Sequence, residues 1–449
     1  MNDLDYRNLA VHVVALARRK TNLSEAFLSN SQELTIEVRN QEVEAIKFAH
    51  ERGLGLRVIA DGRMGFAFTS DLSADALNQV TDQALANATQ TAADPYNQLP
   101  APVTVYPQLN LFDPGIGSRS VETKIALAKE IEKAGKTFDP RIKITESCTY
   151  RDAAYDITLA NSLGICTGYQ GAFCGAYAFL VAEENGSYET GFGMQFSLRY
   201  ADLDAGKVGR EAALKAVRML GAKNIKTQKL PVIFDPYVAT NFLGLIAPGL
   251  TAEAVQKGKS LFAERIGQQV ASTLVTIIDN GALPGGMASS PFDGEGVPTG
   301  KTVLIETGVL QNYLYNTYTA AKDGAHSTGN GTRGSFRGTP EVGITNFFIQ
   351  PGESTPEALI KDTTMGLFVT EVMGMHTANP ISGDFSVGAA GILIKNGELT
   401  TPVRGVVIAG NIIGLLEAVD AVGQDLVFYG GVGAPTIRVA GLTVSGGEH

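Results

Sequence analysis

Tryptophan is missing from this chain, and cysteine and histidine are scarce: three and five residues among 449. Cys148, Cys166 and Cys174 are odd in number and form no Cys-x-x-Cys pair, which excludes a disulfide framework and fits reduced thiols in the cytoplasm. His12, His50, His326, His376 and His449 are scattered, with no His-x-x-His or His-x-x-x-His spacing between them. Positive charge is short as well. The net charge is −10 and the basic clusters, Arg18-Arg19-Lys20 and Lys223 to Lys229, are small and interrupted, so direct nucleic-acid binding is excluded. No apolar run approaches the ~20 residues that cross a bilayer. The N-terminus, MNDLDYRNLAVHVVALARRK, begins acidic rather than basic, unlike a signal peptide, and Leu9, Val13 and Leu16 fall at helical spacing. A soluble cytoplasmic protein is expected.

What is abundant is glycine, 51 residues, well above the usual ~7% and consistent with many tight β connections. The length suffices for two or three domains. Residues 34–68 read as a β-meander turning at Asn40-Gln41 and at Asp61-Gly62-Arg63. A helix follows Asp71 to Ser73, carrying Leu77, Val80, Ala84 and Ala88 on one stripe, and a second spans about Ser120 to Lys136 with Ile125, Ala128, Ile131 and Ala134. Between them, Asp94 to Pro107 is a proline-rich connector. Strands are expected at Ile142 to Arg151, Ala153 to Ala160, Ile165 to Leu180 and Gly193 to Arg199, then a helix at Lys207 to Leu220. Lys223 to Lys229 marks the domain boundary, giving units at 1–222 and 223–449. Beyond it β-like runs dominate, among them STLVTIID, TVLIETG, VLQNYLY and GLFVTEV. Ser354-Thr-Pro356-Glu357 reads as a capping box with an early proline. The expected fold class is α+β, an N-terminal α+β domain followed by a mostly antiparallel β domain.

The most telling stretch is Thr377 to Asn411, where Asn396-Gly397 is a hairpin turn between β-rich runs and Gly383, Gly388 and Gly391 punctuate Asp384-Phe385-Ser386. With RGLGLRVIADGRMGFAFTSDLS (Arg52 to Ser73), LPVIFDPYVAT (Leu230 to Thr240), ASSPFDGEGVPT (Ala288 to Thr299) and STGNGTRG (Ser327 to Gly334), it resembles the TldD/PmbA family, a peptidase family once called modulators of DNA gyrase. The resemblance runs from about Leu34 to Gly441. One branch of that family carries a zinc-binding His-Glu-x-x-x-His helix after the counterpart of Pro236 and a late cysteine ligand. Here the corresponding positions are Gly244, Leu245 and Gly249, none of which can hold zinc, and no cysteine follows Cys174. The chain is therefore similar to the PmbA/TldE branch. That resemblance implies a subunit with no metal or other cofactor of its own, paired with a zinc-bearing TldD-type paralogue, or with itself when alone. The complex would process extended peptides.

Four residues stand out as candidates for peptide binding or an interface: Gly383, Asp384, Ser386 and Gly388. Glycines leave backbone groups approachable for an extended peptide, and Asp384 and Ser386 share a side if the segment is extended. The competing account is that the glycines only permit bends and Phe385 packs inside. An alternative chemistry pairs Ser386, in a near-GxSxG context, with His376 as a metal-independent hydrolase; a non-enzymatic regulator of DNA gyrase is a third possibility. Asp293 and Glu295 are either paired acid–base carboxylates or a turn with a solvated glutamate, with Arg333 and Arg337 as candidate counter-ions. Gly329 to Gly334 matches GxGxxG but precedes no helix, so a backbone-exposing loop is the better reading.

Overall fold

Two-residue turns build the first sheet of this computed structural model, which describes residues 5–447. Met1 to Leu4, the acidic start of the predicted N-terminal helix, and His449 lie outside the described residues. Strands β1 (Leu23–Arg39), β2 (Glu42–Ala60), β3 (Arg63–Thr69), β4 (Ile142–Asn161), β5 (Cys166–Glu184) and β6 (Ser187–Ser197) form one antiparallel sheet, ordered β3-β2-β1-β4-β5-β6. Asn40 (φ 53°) and Gln41 (φ 62°), then Asp61 (φ 51°) and Gly62 (φ 74°), take the left-handed pairs that match strand twist. The strands are longer than their sequence runs suggest. Asp152, read as a break, is inside β4, because Lys124 (2.5 Å) and the Tyr150 hydroxyl (2.8 Å) satisfy its carboxylate.

Five helices accompany the sheet: α1 (Tyr6–Arg18), α2 (Ala74–Thr89), α3 (Pro114–Ser118), α4 (Val121–Phe138) and α5 (Ala205–Val217). Side chains alternate along a strand, and even-numbered residues of β1 and β2 face the helices: Leu28, Leu54, Leu56 and Val58 share a core with α1 and α2, while Leu34 and Ile36 pack with α4 residues. Odd-numbered residues face the second half of the chain, where Phe27 and Leu159 meet Phe292 and Phe336. Glu132 of α4, fully buried, accepts from the backbone N–H of Asn40 (2.8 Å) and Gln41 (2.6 Å), which fixes the β1–β2 turn.

The second half contains β7 (Gln228–Phe234), β8 (Ile277–Asn280), β9 (Lys301–Glu306), β10 (Val309–Leu310), β11 (Gly331–Thr332), β12 (Glu341–Val342) and β13 (Phe347–Ile349). It continues with β14 (Met365–Met373), β15 (Asp384–Lys395), β16 (Glu398–Asn411), β17 (Val419–Val422), β18 (Val427–Tyr429), β19 (Val432–Ala434) and β20 (Ile437–Ser445). Its helices are α6 (Pro236–Ile246), α7 (Ala252–Gln256), α8 (Thr317–Asp323), α9 (Pro356–Lys361) and α10 (Ile412–Glu417). One sheet is ordered β16-β15-β14-β7-β20-β17, and a further β16–β20 pairing closes it into a barrel. Only β7–β14 is parallel within it. A second sheet runs β10-β9-β8-β13-β19-β18, and β11-β12 is a separate ribbon. The fold is α+β.

Two predicted strands shrink and one cap moves. STLVTIID is strand only from Ile277, because Val275 N–H returns to Ser272 (2.9 Å) in a turn. VLQNYLY is strand only at Val309–Leu310, since Leu314 crosses to pair with Leu250 and Ala252. The cap of α9 is Thr355, whose hydroxyl accepts from Ala358 N–H (3.1 Å), rather than Ser354.

Candidate functional site

Helix α6 begins at Asp235, whose carboxylate caps Val238 N–H (2.9 Å), with Pro236 at the first helical position. Val238, Ala239, Phe242, Leu243 and Ile246 are all buried, so the helix is anchored in the barrel-side core. Pro248 tightens the following turn, and Thr251 caps α7 by accepting from Ala254 N–H (3.2 Å). The end of α6, α7 and the segment after β12 enclose a cleft of about 590 Å³. Gly244, Ala247, Val342, Ile344 and Ile381 are among its apolar walls, with Glu253, Lys257 and Lys259 at polar positions. Lys257 is held by Glu253 (2.6 Å), whereas Lys259 makes no ion pair among the described residues.

The cleft does not suit a zinc ion. Glu253 is its sole lining carboxylate and is already paired with Lys257, and no lining residue is histidine or cysteine. Among the described residues no three of His, Cys, Asp and Glu gather as a metal site. Gly244 is exposed on the wall, and a Cβ there would meet nothing within 4 Å. Leu245 packs partly against the core and Gly249 is buried against Phe262. The wall opposite α6 is made by β12, which pairs through one edge with β11 (Gly331 with Val342, Thr332 with Glu341) and has no strand on its other edge among the described residues.

Apart from the cleft's own lining, a group of buried charges joins the two halves. Arg57 on β2 donates to Glu25 on β1 (2.9 Å) and to Glu295 (3.2 Å), and Arg333 donates to Glu25 and to the Gly294 carbonyl (2.6 Å). Burial opposes the charge on Arg57, but Glu25 and Glu295 outweigh it and raise its pKa. Glu295 also accepts from Thr317 N–H at the start of α8 (2.7 Å). Asp293 turns the loop, accepting from the N–H groups of Glu295 (2.9 Å), Val297 (3.0 Å) and Gly331 (2.8 Å). Burial, then the adjacent Glu295 carboxylate, raise the Asp293 pKa well above the usual carboxylate range against those N–H groups.

This corrects the sequence reading of Asp293-Gly-Glu295: the turn is present, but Glu295 is fully buried rather than solvated. Arg333 belongs to the cluster, while Arg337 reaches out to Glu51 (2.7 Å). Glu25 and Arg57 were not singled out in sequence. Their signal was weak: charged residues at odd positions in β1 and β2, on the face opposite the helices. The GxGxxG run opens no helix, as its context implied, but it is not a backbone-exposing loop: Gly331–Thr332 form β11, and Gly329, Asn330 and Gly331 are buried because the run packs against the Pro298 and Asp293 segment. Asn330 donates to buried Asp279 (2.8 Å) and to the Gly343 carbonyl (2.9 Å), and a Cβ on Gly329 (φ 74°) would stand 2.4 Å from the Pro298 carbonyl.

The four candidates of the glycine-rich segment lie in and just before β15. Asp384 and Ser386 are exposed on the same face, and Phe385 on the other face packs against Phe242 with ring centroids 5.1 Å apart. Gly383 is buried at φ 80°, next to Ile412. Gly388 and Gly391 are paired with β14 on one side and β16 on the other, so their backbone cannot accept a further strand. Close approach explains Gly391, where a Cβ would stand 2.1 Å from the Phe368 carbonyl; Gly388 has ordinary room. Ser386 and His376 are both exposed and share no hydrogen bond among the described residues; it is Ser382 that bonds Asp384 (2.8 Å).

Three family models match this α+β chain. They are the PmbA/TldA metallopeptidase domain 1 (residues 24–88), central domain (114–220) and C-terminal domain (227–446). The chain belongs to the PmbA/TldD metallopeptidase family. It is 31% identical to the metalloprotease PmbA of Escherichia coli O157:H7, over 95% of this chain and 94% of that one. It is 26% identical to a metalloprotease TldD homolog of Haemophilus influenzae, over 96% and 94%. The crystal structure of a proposed DNA gyrase modulator from Thermotoga maritima MSB8 superposes with a TM-score of 0.91 at 28% identity, covering 98% of this chain and all of that one. TldE from Thermococcus kodakarensis shares the fold at a TM-score of 0.91 and 23% identity, over 98% and 100%.

Proposed function

We propose that this chain is the zinc-free, PmbA/TldE-type subunit of a two-component cytoplasmic metalloprotease that processes extended peptides. The observation that carries the reading is Gly244 on the cleft wall, with Leu245 and Gly249 beside it, where the resemblance puts the zinc ligands of the other branch. Zinc chemistry then belongs to a TldD-type partner, and this chain's own residues bind and enclose the substrate. The open edge of β12 offers main-chain groups to an extended peptide, and Val342, Ile344 and Ile381 offer apolar contact. Lys259, which makes no ion pair among the described residues, favours an anionic group at that end of the cleft. Asp384 and Ser386, side by side on an exposed face, are assigned to contact with peptide or partner. That relatives carry both PmbA and TldD names supports a pair of paralogous subunits.

Elemental analysis and a peptide-hydrolysis assay test this together. The purified, untagged chain is expected to hold no stoichiometric zinc and to hydrolyse negligibly, with activity arising when a TldD-type paralogue is added. Ser386→Ala leaves that activity within a few-fold. About one tightly held zinc per chain overturns the reading. So does chelator-insensitive hydrolysis by the chain alone that Ser386→Ala lowers on the order of a thousand-fold.

A further inference from the structure

Across Glu253 from the cleft, a smaller pocket of about 310 Å³ opens between the first sheet and α8. Arg57, Asn316 and Thr319 are buried at its floor, and Gln98 and Glu341 are exposed at its rim. The floor holds a donor with nothing to donate to. Arg57 is 5% exposed; its two terminal nitrogens serve Glu25 and Glu295, and its Nε has no hydrogen-bond partner among the described residues. Thr317, between the lining residues Asn316 and Tyr318, has a buried hydroxyl in the same condition. Such a group is costly until an acceptor reaches it. Asn97 and Gln98, also lining the pocket, supply the opposite polarity. Each spends its NH2 on a backbone carbonyl, of Gly62 (2.8 Å) and Thr317 (3.3 Å), so each side-chain oxygen is left without a donor among the described residues.

An anion does not suit this pocket: Glu25 and Glu295 already balance Arg57 and Arg333, and Glu341 makes no ion pair among the described residues. A cation cannot accept from Arg57, and an apolar group leaves donor and acceptors unmet. A carboxamide, with C=O and NH2 on one carbon, meets both. We infer that the pocket takes the side-chain carboxamide of a glutamine or asparagine in the bound peptide, its oxygen accepting from Arg57 Nε and its NH2 donating to Asn97 or Gln98. This rests on the reading that an extended peptide lies along the open edge of β12. Glu341 and Val342 are successive residues of that strand, and Glu341 lines the pocket while Val342 lines the cleft. Side chains alternate along extended chains, so neighbouring peptide residues divide between the two in the same way. The sequence recognised is an apolar residue next to Gln or Asn.

Fluorescence anisotropy of short labelled peptides on the full chain tests this, with Val beside Gln, Glu or Met in an otherwise constant sequence. The Gln peptide is expected to bind roughly ten-fold or more tighter than the Met peptide, which matches its shape without its amide, and than the Glu peptide. Glu341→Lys is expected to close most of the gap between Gln and Glu and to leave the gap between Gln and Met. Gly244→Phe, which fills the cleft, weakens every peptide. Equal affinity for Gln and Met, in peptides that Gly244→Phe still weakens, overturns the pocket assignment and leaves the cleft reading standing. A preference for Gln over Glu that is indifferent to Glu341→Lys overturns the assignment too. Peptides that fail to bind, or that bind Gly244→Phe as they bind the parent, overturn the cleft reading and this inference together.

Discussion

Arg57 and Glu132 are each buried charges whose cost is met by several partners, and they hold different joints. Arg57 keeps Glu25 and Glu295 apart while tying the first sheet to the loop before α8. Two carboxylates and two guanidinium groups balance, so removing one partner leaves an uncompensated charge. Arg57→Met is expected to destabilise the protein by about 3–5 kcal/mol, the usual cost of breaking a buried pair from one side. Urea denaturation with a probe in each half checks it, and a loss under about 1 kcal/mol would mean the cluster is not structurally important. Glu132 works in the opposite pKa direction. Burial raises its pKa, but Thr145, the Gln41 and Asn40 N–H groups and Lys136 outweigh burial and lower it to about 2. Its contribution is complete above the ordinary value of 4.5 and is lost as pH falls toward 2.

At the scale of elements, β15 and α6 show which glycines and caps matter. Gly391 cannot take a side chain without striking the Phe368 carbonyl, whereas a Cβ on Gly388 would lie 3.5 Å from Met373, an ordinary contact. Gly391→Ala is therefore expected to lower stability by roughly 1–3 kcal/mol, in the range of core overpacking, and Gly388→Ala by under about 1 kcal/mol. Thermal melts of the two variants side by side decide this; equal losses would show that β15 has room at both positions. Asp235 gives α6 a pH signature. Burial raises its pKa to about 6, opposed by the Val238 N–H, Lys215 and Arg218. A carboxyl raised from 3.8 binds its extra proton in the folded state, so stability falls as pH rises from about 4 to 6. Asparagine keeps the cap and loses the proton. Stability of Asp235→Asn measured across that window is expected to lack this slope, and an unchanged slope would assign it to another group.

For the whole molecule, the cleft is where folding and function separate. Gly244 faces open space, so a large side chain there fills the cleft without striking the core. Gly244→Phe is expected to melt within a few degrees of the parent and to lower peptide processing by the two-component complex at least about ten-fold. Unchanged processing by a folded variant would remove the cleft from the substrate path. The same proposal places metal chemistry outside this chain, so variants here alter binding and assembly rather than the chemical step.

Local signals in the sequence were enough for several features. The turns at Asn40-Gln41, Asp61-Gly62 and Asn396-Gly397 all take left-handed φ, because two-residue hairpins demand it and these residues tolerate it. The stripes Leu77, Val80, Ala84, Ala88 and Ala128, Ile131, Ala134 are buried, since 3.6-residue periodicity brings them to one face. The ordered motifs of the family were also legible. The tertiary structure alone decided what depended on distant partners. Lys124 keeps Asp152 inside one long strand, and two flanking strands close off the backbone of Gly388 and Gly391. Arg57, 238 residues away in sequence, makes Glu295 a buried ion rather than a solvated one. A charge or a glycine has no meaning until its surroundings are known, because burial and pairing reverse its energetic sign, and those come from residues that local pattern cannot bring together.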